Sequence, residues 1–223
     1  MTKIKTLTIQ FDTPLRRSEI PLFRGAIIAA IPSSNILFHN HDGSSRRYAY
    51  PLIQYKRIGG KAAITCIGEG VDAMGEFFSI NKDYKIRLGE ETRNLPLQNI
   101  QAQQTEIQCW DCKFDYRIRD WLPLNEKNYN VFNETTDIIG RIKILEKILV
   151  GNILSLAKGL SMNISSTITV SITDIENIRD IRYKRVPLRC MDIRFRSNIS
   201  LPNFIGIGKH TSVGFGIITK EKN

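Results

Sequence analysis

The sequence predicts an α+β protein made of two tandem ferredoxin-like domains, of the RNA-recognition-motif type, with a glycine-rich loop near the C-terminus. In the first half, apolar residues recur with strand and helix periods, and apart from a short strand that starts at residue 36 their order is strand, helix, strand, strand, helix, strand, which is the ferredoxin-like order. The second half varies this order around one long helix. With 223 residues, 42% of them hydrophobic, the chain is long enough for two small cores.

The first three elements come from residues 4 to about 40. Residues 4–11, IKTLTIQF, alternate between apolar and polar and so predict a half-buried strand. A helix follows, with Ser18 as a capping residue and Pro21 in its first turn, and Pro32 ends it. The stretch ILFHNHDGSSRR, which starts at residue 36, is typical of a short strand that runs into a polar loop.

A hairpin, a helix and a strand complete the first domain. Gly59-Gly60 separates two apolar-rich runs and predicts the hairpin turn. Residues 69–80 predict a short second helix, and residues 85–108 predict strand with a polar turn in the middle. We therefore expect an N-terminal domain over residues 1–108 and a C-terminal domain over residues 109–223.

The second half contains the longest predicted helix. Strand or hairpin patterning comes first, and a helix then covers about residues 136–158. Strands are predicted near residues 166–175 and 186–202, and a last one at 215–219. The expected buried stripe of the long helix consists of Ile138, Ile142, Leu145, Leu149, Ile153 and Leu156.

The chain is strongly basic, with a net charge of +10 from 32 Lys and Arg against 22 Asp and Glu. This excess favours a polyanionic partner, either a nucleic acid or an acidic membrane surface. The sequence has neither the apolar run of a signal peptide nor one long enough to span a membrane, so we expect a cytoplasmic protein without a membrane partner.

The four cysteines include one Cys-x-x-Cys pair, Cys109 and Cys112. A structural zinc site usually needs two such pairs, or one pair with nearby histidines. We therefore expect reduced thiols, no metal and no cofactor, with a metal or redox site as the alternative. Trp110 and Trp121 are expected in the core rather than as stacking platforms for bases.

The C-terminal stretch GIGKHTSVGFG, residues 206–216, suggests an anion site. A dinucleotide-binding fingerprint must open a helix after a first strand, and a P-loop needs Gly-x-x-x-x-Gly-Lys-Ser/Thr; neither context is present. Glycines can still bring backbone N–H groups close to a phosphate, and Lys209 adds charge. The alternative interpretation is a tight glycine-rich hairpin with no ligand.

This motif resembles a family signature. A C-terminal Gly-x-Gly, a basic residue, a short spacer and Gly-Phe-Gly are similar to the signature of the Cas6 family, the CRISPR-associated endoribonucleases that cut precursor CRISPR RNA. The stretches TLTIQFDTPLRRSEIPLFRGAI and YPLIQYKRIGGKAAI further resemble the b subtype. The resemblance implies two ferredoxin-like domains, repeat RNA as the substrate, homodimers, and other CRISPR effector subunits as further partners.

Two of the three histidines, His39 and His41, are the candidate catalytic pair. In an extended stretch, residues two apart lie on one face, so one imidazole could act as base and the other as acid. The resemblance implies a catalytic histidine after the first helix and, for the b subtype, a histidine pair with a downstream tyrosine, which Tyr48 matches. The alternatives are a metal site that includes Asp42, or surface histidines without a function.

Several basic and loop residues are candidate RNA contacts. Arg46, Arg47 and Lys56 lie close to the histidines in sequence and could balance phosphorane charge. The tract 179–196 holds seven basic and two acidic residues, and its alternative is a solvated strand face. If no bulge intervenes, one face of this tract carries Arg182, Lys184, Arg194 and Arg196. From the glycine-rich stretch, the candidates are Gly206, Gly208, Lys209, His210, Thr211, Ser212, Gly214 and Gly216.

The expected function is therefore a metal-independent endoribonuclease that cuts CRISPR repeat RNA. The 2′-hydroxyl of RNA would attack the neighbouring phosphorus, leave a 2′,3′-cyclic phosphate and release mature guide RNAs. The alternative is a non-catalytic RNA-binding subunit that holds processed guide RNA in a CRISPR complex. For the cleavage function, we expect residues 39–48 and 206–216 to converge on one groove that holds the RNA.

Overall fold

The computed structural model describes residues 3–31, 36–39, 50–80 and 85–221, apart from the side chains of Ile36, His39, Glu76 and Ile80. The chain divides into two compact units. The first comprises Met1–Thr105 with Ser212–Gly214, and the second comprises Glu106–Thr211 with Phe215–Asn223.

The helices and strands of the first unit are β1 (Lys3–Pro14), α1 (Ile20–Ala29), α2 (Ile36–His39), β2 (Ile53–Ile58), β3 (Lys61–Ile67), α3 (Glu69–Ile80), β4 (Lys85–Leu88), β5 (Glu91–Asn94) and β6 (Leu97–Glu106). Four of the strands form a sheet in the order β2-β3-β1-β6, and β4 and β5 form a separate hairpin. With β6 as the fourth strand, this is the strand order of the ferredoxin-like fold.

Apolar side chains of the central strands and α1 form the core of this unit. Ile9 of β1 lies opposite Ile64 of β3 in an antiparallel register, and both side chains are fully buried. The Phe23 ring packs edge-on against Phe11 and Tyr55, with centroid distances of 6.3 and 5.9 Å. The alternation predicted from the sequence therefore places the apolar set of β1 against α1.

Residues 36–39 form a short helix, so the predicted strand at this point is wrong. Phe38 is buried, and a short apolar run with one buried residue does not distinguish a strand from a helical turn. The correction matters because the shared face of His39 and His41 required extended backbone. His39 ends α2 instead, and residue 41 lies outside the described residues.

The helices and strands of the second unit are β7 (Cys109–Trp121), α4 (Glu126–Glu134), α5 (Ile138–Gly159), β8 (Val170–Tyr183), β9 (Val186–Ile199) and β10 (Ile217–Lys220). They repeat the strand order of the first unit, as β10-β7-β9-β8. The long helix α5 takes the position of the first ferredoxin helix, and residues 200–216 stand where the second helix would be. That stretch holds one 3-10 turn at Thr211–Val213.

The helix α5 begins where the sequence predicts, but its buried stripe is shorter. The Asp137 carboxylate accepts a hydrogen bond from the Gly140 N–H at 2.6 Å and so caps the helix. Leu145, Leu149, Ile153 and Leu156 of the predicted stripe are buried, whereas Ile138 is 70% exposed. Ile138 therefore does not belong to the core, because only the later turns of α5 lie against the sheet.

The helix α4 was not predicted. Its sequence, EKNYNVFNE, is mostly polar, and Phe132 is its one buried side chain, so the apolar period is too weak to reveal it. Asn125 caps it by accepting the Asn128 N–H at 2.7 Å. Among the helices in the described ranges, none has the length and apolar character needed to cross a bilayer.

Candidate nucleic-acid interface

The glycine-rich segment, residues 206–216, folds back on itself and closes against β10. Gly206 forms an isolated antiparallel bridge with Ile217. The Ile207 N–H donates to the Gly216 carbonyl at 2.8 Å, and the Gly216 N–H donates to the Asp120 carbonyl at 2.9 Å. The N–H groups of Ile207 and Gly216 are therefore used inside the fold and do not face a ligand.

Two of the glycines are required by close packing and by their backbone conformation. A Cβ on Gly216, which has a φ of +65°, would lie 1.9 Å from the Ile207 carbonyl oxygen. A Cβ on Gly208, with a φ of +97°, would lie 3.0 Å from the Trp121 indole nitrogen. No L side chain is tolerated easily at either position. These contacts agree with the alternative interpretation of a tight glycine-rich turn.

Lys209 points back into the fold. Its ammonium group donates to the Leu124 carbonyl oxygen at 2.8 Å. Partial burial lowers the pKa of Lys209, because desolvation disfavours the charged form. Its first role is therefore to hold the glycine-rich segment onto the loop that follows β7.

His210 is the exposed residue of this segment, and it lies among aromatic side chains. Its ring centroid is 4.6 Å from that of Tyr183 and 6.2 Å from that of Phe215. Desolvation lowers the pKa of His210 most, and the positive charges of Lys184 and Lys209 lower it further. The imidazole is consequently neutral near pH 7 and offers one donor and one acceptor.

The turn of the β8–β9 hairpin lies beside His210 and carries two cations. Lys184 and Arg185 occupy the left-handed region, with φ values of 49° and 68°. A two-residue hairpin turn of this kind usually contains Asn-Gly, and each non-glycine residue there costs roughly 1 kcal/mol. The Lys184 ammonium is 5.8 Å from the centre of the Tyr183 ring. We call Tyr183, Lys184, Arg185 and His210 the hairpin-tip cluster.

Sequence reasoning found two members of this cluster and missed two. Lys184 and His210 were candidate RNA contacts, whereas Tyr183 and Arg185 were not. A usable signal was present in the sequence, since the basic pair Lys184-Arg185 separates two apolar-rich strand patterns where a hairpin turn is expected.

The four strand cations do not share one face. The two-residue turn at Lys184 and Arg185 places Arg182 opposite Pro187, so residues that face each other across this hairpin differ in parity. Pro187 alternates on β9 with the set that contains Arg194 and Arg196, and the two register shifts of β8 lie beyond Arg182 from the turn. The prediction of a common face is therefore wrong, and Lys184 lies in the turn itself.

Arg194 and Arg196 are paired with carboxylates. Arg194 contacts Glu176 at 2.7 Å, and Arg196 contacts Asp115 at 2.8 Å. Arg117 donates to the same Glu176 at 2.7 Å, so this face carries a network of ion pairs across the strands. Its positive charge is partly neutralised, which agrees with the alternative of a solvated strand face.

Lys56 is buried, which contradicts its interpretation as a surface contact to phosphate. All four residues from Ile53 to Lys56 are buried, so both faces of β2 are covered there. No described residue gives the Lys56 ammonium a hydrogen bond. Desolvation lowers the pKa of Lys56 to about 7. A polar residue on a strand is expected to face solvent, and only the tertiary structure could reveal this exception.

The first unit has a basic groove that the sequence did not predict. A cavity of about 440 Å³ is lined by Arg16, Arg57 and Arg93 together with Glu19. Arg57 is anchored through its Nε–H to the Leu15 carbonyl at 2.7 Å, and Arg93 pairs with Glu19 at 2.8 Å. Three guanidinium groups against one lining carboxylate make this groove suitable for an anion.

Residues Asn40 to Ala49 lie outside the described residues, and with them His41, Arg46, Arg47 and Tyr48. His39 is described as the last residue of α2, without its side chain. Thr211 is buried and Ser212 half-buried, and Gly206 and Gly214 are also buried. Ser212 and Gly214 belong to the stretch that is grouped with the first unit.

The tryptophans and cysteines are placed as follows. Trp121 is fully buried, as predicted, and its indole N–H donates to Asn152 at 3.0 Å. Trp110 is 40% exposed, so its assignment to the core is wrong, and its indole N–H donates to the Ser200 hydroxyl at 2.8 Å.

The four cysteines are free thiols, of which Cys66 and Cys190 are buried.

Comparisons with known proteins identify the family. Residues 2–106 match the model of the Cas6b N-terminal domain, and residues 108–221 match that of the Cas6b C-terminal domain. An uncharacterised protein of Methanocaldococcus jannaschii is 37% identical over 103 residues, which cover 46% of this chain and 69% of that protein.

Two solved structures are similar over nearly the whole chain. A crystal structure of Cas6b is 25% identical and aligns with a TM-score of 0.89 over 99% of this chain and 100% of that one. A crystal structure of the CRISPR RNA processing endoribonuclease Cas6b is 24% identical, with a TM-score of 0.76 and the same coverage, and it supports the fold alone. The chain, with its two ferredoxin-like units and glycine-rich segment, belongs to the Cas6b family of CRISPR RNA-processing endoribonucleases.

Proposed function

We propose that the chain cuts CRISPR repeat RNA without a metal ion and so releases mature guide RNAs. The observation that carries the proposal is the pair His39 and His41, which lies between α1 and β2 in a chain that matches both Cas6b domains. The family resemblance implies a catalytic histidine after the first helix, and Tyr48 occupies the matching downstream position.

In this mechanism the RNA supplies its own nucleophile. One imidazole accepts the proton of the 2′-hydroxyl, and the 2′ oxygen forms a bond to the neighbouring phosphorus. The bond from phosphorus to the 5′ oxygen breaks, and the second histidine, as an imidazolium, gives that oxygen a proton. The products are a 2′,3′-cyclic phosphate and a 5′-hydroxyl. Imidazole as a chemical group suits both proton transfers, because its charge changes near neutral pH.

Neighbouring groups would assist the two histidines. Tyr48 would orient the phosphate or donate a hydrogen bond to it, and Arg46 and Arg47 would balance the charge of the phosphorane. Lys184, Lys209 and His210 would hold the RNA backbone. The net charge of +10 supports a polyanionic substrate, and the proposal requires residues 39–48 and the glycine-rich segment to engage the same RNA.

The second candidate is a non-catalytic subunit that holds processed guide RNA. The ion pairs of Arg194 and Arg196 and the buried Lys56 leave fewer free cations for binding than the sequence suggests, but the hairpin-tip cluster remains suitable for RNA. Association with other CRISPR effector subunits and formation of a homodimer are also expected from the resemblance, and they stay predictions.

Incubation of end-labelled repeat RNA with the purified chain in EDTA tests the reaction class. We expect cleavage at one position, a product that ends in a 2′,3′-cyclic phosphate, and no cleavage when the nucleotide at that position is 2′-deoxy. His39→Ala and His41→Ala should each lower the cleavage rate by roughly 10²- to 10⁴-fold and leave RNA affinity within about threefold. Asn40→Ala, between them, is the matched control.

Each outcome separates the candidates. A chain that binds repeat RNA tightly and leaves it intact would favour the guide-holding subunit. Loss of cleavage in EDTA, with recovery on addition of Mg²⁺, would overturn the metal-independent mechanism. A product with a 3′-hydroxyl and a 5′-phosphate would do the same, since attack by the 2′-hydroxyl cannot form it.

A further inference from the structure

The second unit contains a cavity of about 460 Å³ beside the start of α4, and no step of the proposed cleavage uses it. Its walls are mostly apolar and come from the loop after β7, from α4 and from the start of β9: Leu124, Tyr129, Val186, Pro187 and Leu188. Tyr129 is 42% exposed and Val186 is 53% exposed. Large apolar side chains that remain exposed around one cavity indicate a binding site.

An aromatic ring and a guanidinium group form one wall of the cavity. The guanidinium carbon of Arg189 lies 5.8 Å from the centre of the Tyr129 ring. Asp180 fixes this guanidinium through two hydrogen bonds, at 3.0 and 3.3 Å. Aromatic rings and Arg planes are the surfaces on which proteins stack the bases of single-stranded RNA.

The charged groups of the cavity suit a base better than a phosphate. Arg189 and Lys209 line it together with Asp180 and Glu126, so its formal charges balance. A phosphate would meet two carboxylates. The edge of a base carries both donors and acceptors, and carboxylates accept from base amino groups whereas Arg and Lys donate to base oxygen and nitrogen atoms.

Residues that line the cavity are neighbours in sequence of residues proposed to hold the RNA backbone. Val186 and Pro187 directly follow the turn residues Lys184 and Arg185, and Lys209 lies both in the cavity wall and in the glycine-rich segment. A backbone phosphate at the turn would therefore bring an adjoining base to the mouth of the cavity.

We propose that this cavity binds one unpaired nucleobase of the repeat RNA, stacked on Tyr129 and recognised at its edge by the charged groups. The inference rests on the proposed function, because it requires that the chain bind repeat RNA. It adds a subsite that recognises one base of the RNA, and Tyr129 becomes a specificity-determining residue.

The test is a thermodynamic cycle between Tyr129 and single bases of the RNA. The probe is the repeat RNA made uncleavable by one 2′-deoxy nucleotide at the cleavage position, with abasic sites introduced one at a time. Stacking on an aromatic residue predicts that Tyr129→Ala weakens RNA binding by about 5- to 100-fold, and that Tyr129→Phe stays within about threefold of wild type. At one RNA position, an abasic site should weaken wild-type binding similarly but change Tyr129→Ala binding by less than about threefold.

Val131→Ala is the matched control, since Val131 is an exposed residue of the same helix that does not line the cavity. It should bind RNA as wild type does, and circular dichroism should show that all variants are folded. Tyr129→Ala with wild-type affinity, or with additive losses at every abasic position, would overturn the nucleobase site. If such a variant still cleaves the unmodified repeat, the cleavage proposal survives. A wild-type chain that does not bind repeat RNA would overturn both.

Discussion

The imidazole of His210 lies against the phenol ring of Tyr183, with 4.6 Å between the ring centroids and a tilt of 48°. Phe215 approaches both rings, at 6.2 Å from His210 and 5.6 Å from Tyr183. This aromatic surrounding removes water from one side of the imidazole, and Lys184 adds a positive charge nearby. Both effects disfavour the imidazolium, although His210 remains exposed to a ligand.

We predict that His210 titrates below the ordinary histidine value of about 6.5 in the free protein. As the pH falls below about 6.5, the unfolded chain therefore binds more protons at this histidine than the folded chain does. The contribution of His210 to the free energy of unfolding consequently becomes unfavourable at low pH. Lys184→Met should raise the pKa of His210, since it removes a repulsive charge. The measurement is an NMR titration of the imidazole resonances, assigned with His210→Gln.

Repeat RNA provides the decisive comparison for His210. A phosphate next to the ring would stabilise the imidazolium and raise the pKa of His210 on binding. Lys220→Met is the control for Lys184→Met, because Lys220 lies on β10 against Phe114 and is not among the groups that shift the pKa of His210. An unchanged pKa in the RNA complex would contradict the proposed contact with RNA.

Gly216→Ala is predicted to destabilise the second unit by about 3 kcal/mol or more. The new methyl group would lie 1.9 Å from the Ile207 carbonyl oxygen, and its backbone is left-handed. Gly151→Ala in α5 is the opposite case, since no atom lies within 4 Å of the added Cβ, and it should stabilise the helix by about 0.5–1 kcal/mol. Urea unfolding measures the free energy of unfolding of both variants. Equal effects would show that close packing does not require glycine at position 216.

Arg179→Met should lower the free energy of unfolding of the second unit by about 2–3 kcal/mol, a value that is reduced because the side chain is partly exposed. Arg179 donates to Asp192 at 3.0 Å and also to Asp120, and its side chain is 26% exposed. The variant leaves two carboxylates close together without their shared guanidinium. Arg196→Met, whose side chain is 50% exposed, should change the free energy of unfolding far less than Arg179→Met does, because water screens its ion pair with Asp115. Similar losses of unfolding free energy in both variants would show that the Arg179 ion pairs stabilise the unit no more than an exposed ion pair does.

Periodicity in the sequence was sufficient for the ferredoxin-like class of the fold, although it missed α4 and wrongly predicted a strand at residues 36–39. The alternation over β1, the Gly59-Gly60 turn and the helical spacing after Asp137 each reflect a local rule, because the side-chain period directly matches the buried face of a strand or a helix. The two ferredoxin-like strand orders follow from these elements. The resemblance carried by GIGKHTSVGFG led to the right family.

Local rules were insufficient where burial or register depends on distant residues. Lys56 has the pattern of a solvent-facing strand residue, yet both faces of β2 are covered. Arg182 and Arg194 have the same parity, yet the two-residue turn at Lys184 and Arg185 places them in alternate sets. The length of the turn fixes which residues face each other across a hairpin, so counting positions along the chain is not sufficient until the turn residues are known.

The sequence by itself therefore determined the two ferredoxin-like units, the family and the chemical identity of the candidate residues, since these depend on composition, period and short motifs. Only the tertiary structure decided what the glycine-rich segment does within the second unit. Its glycines fit against Ile207 and Trp121, Lys209 anchors it to Leu124, and His210 is left exposed beside the β8–β9 turn. The physical reason is close packing. A glycine motif indicates where a side chain does not fit, but the surrounding atoms determine whether protein or a ligand fills that space.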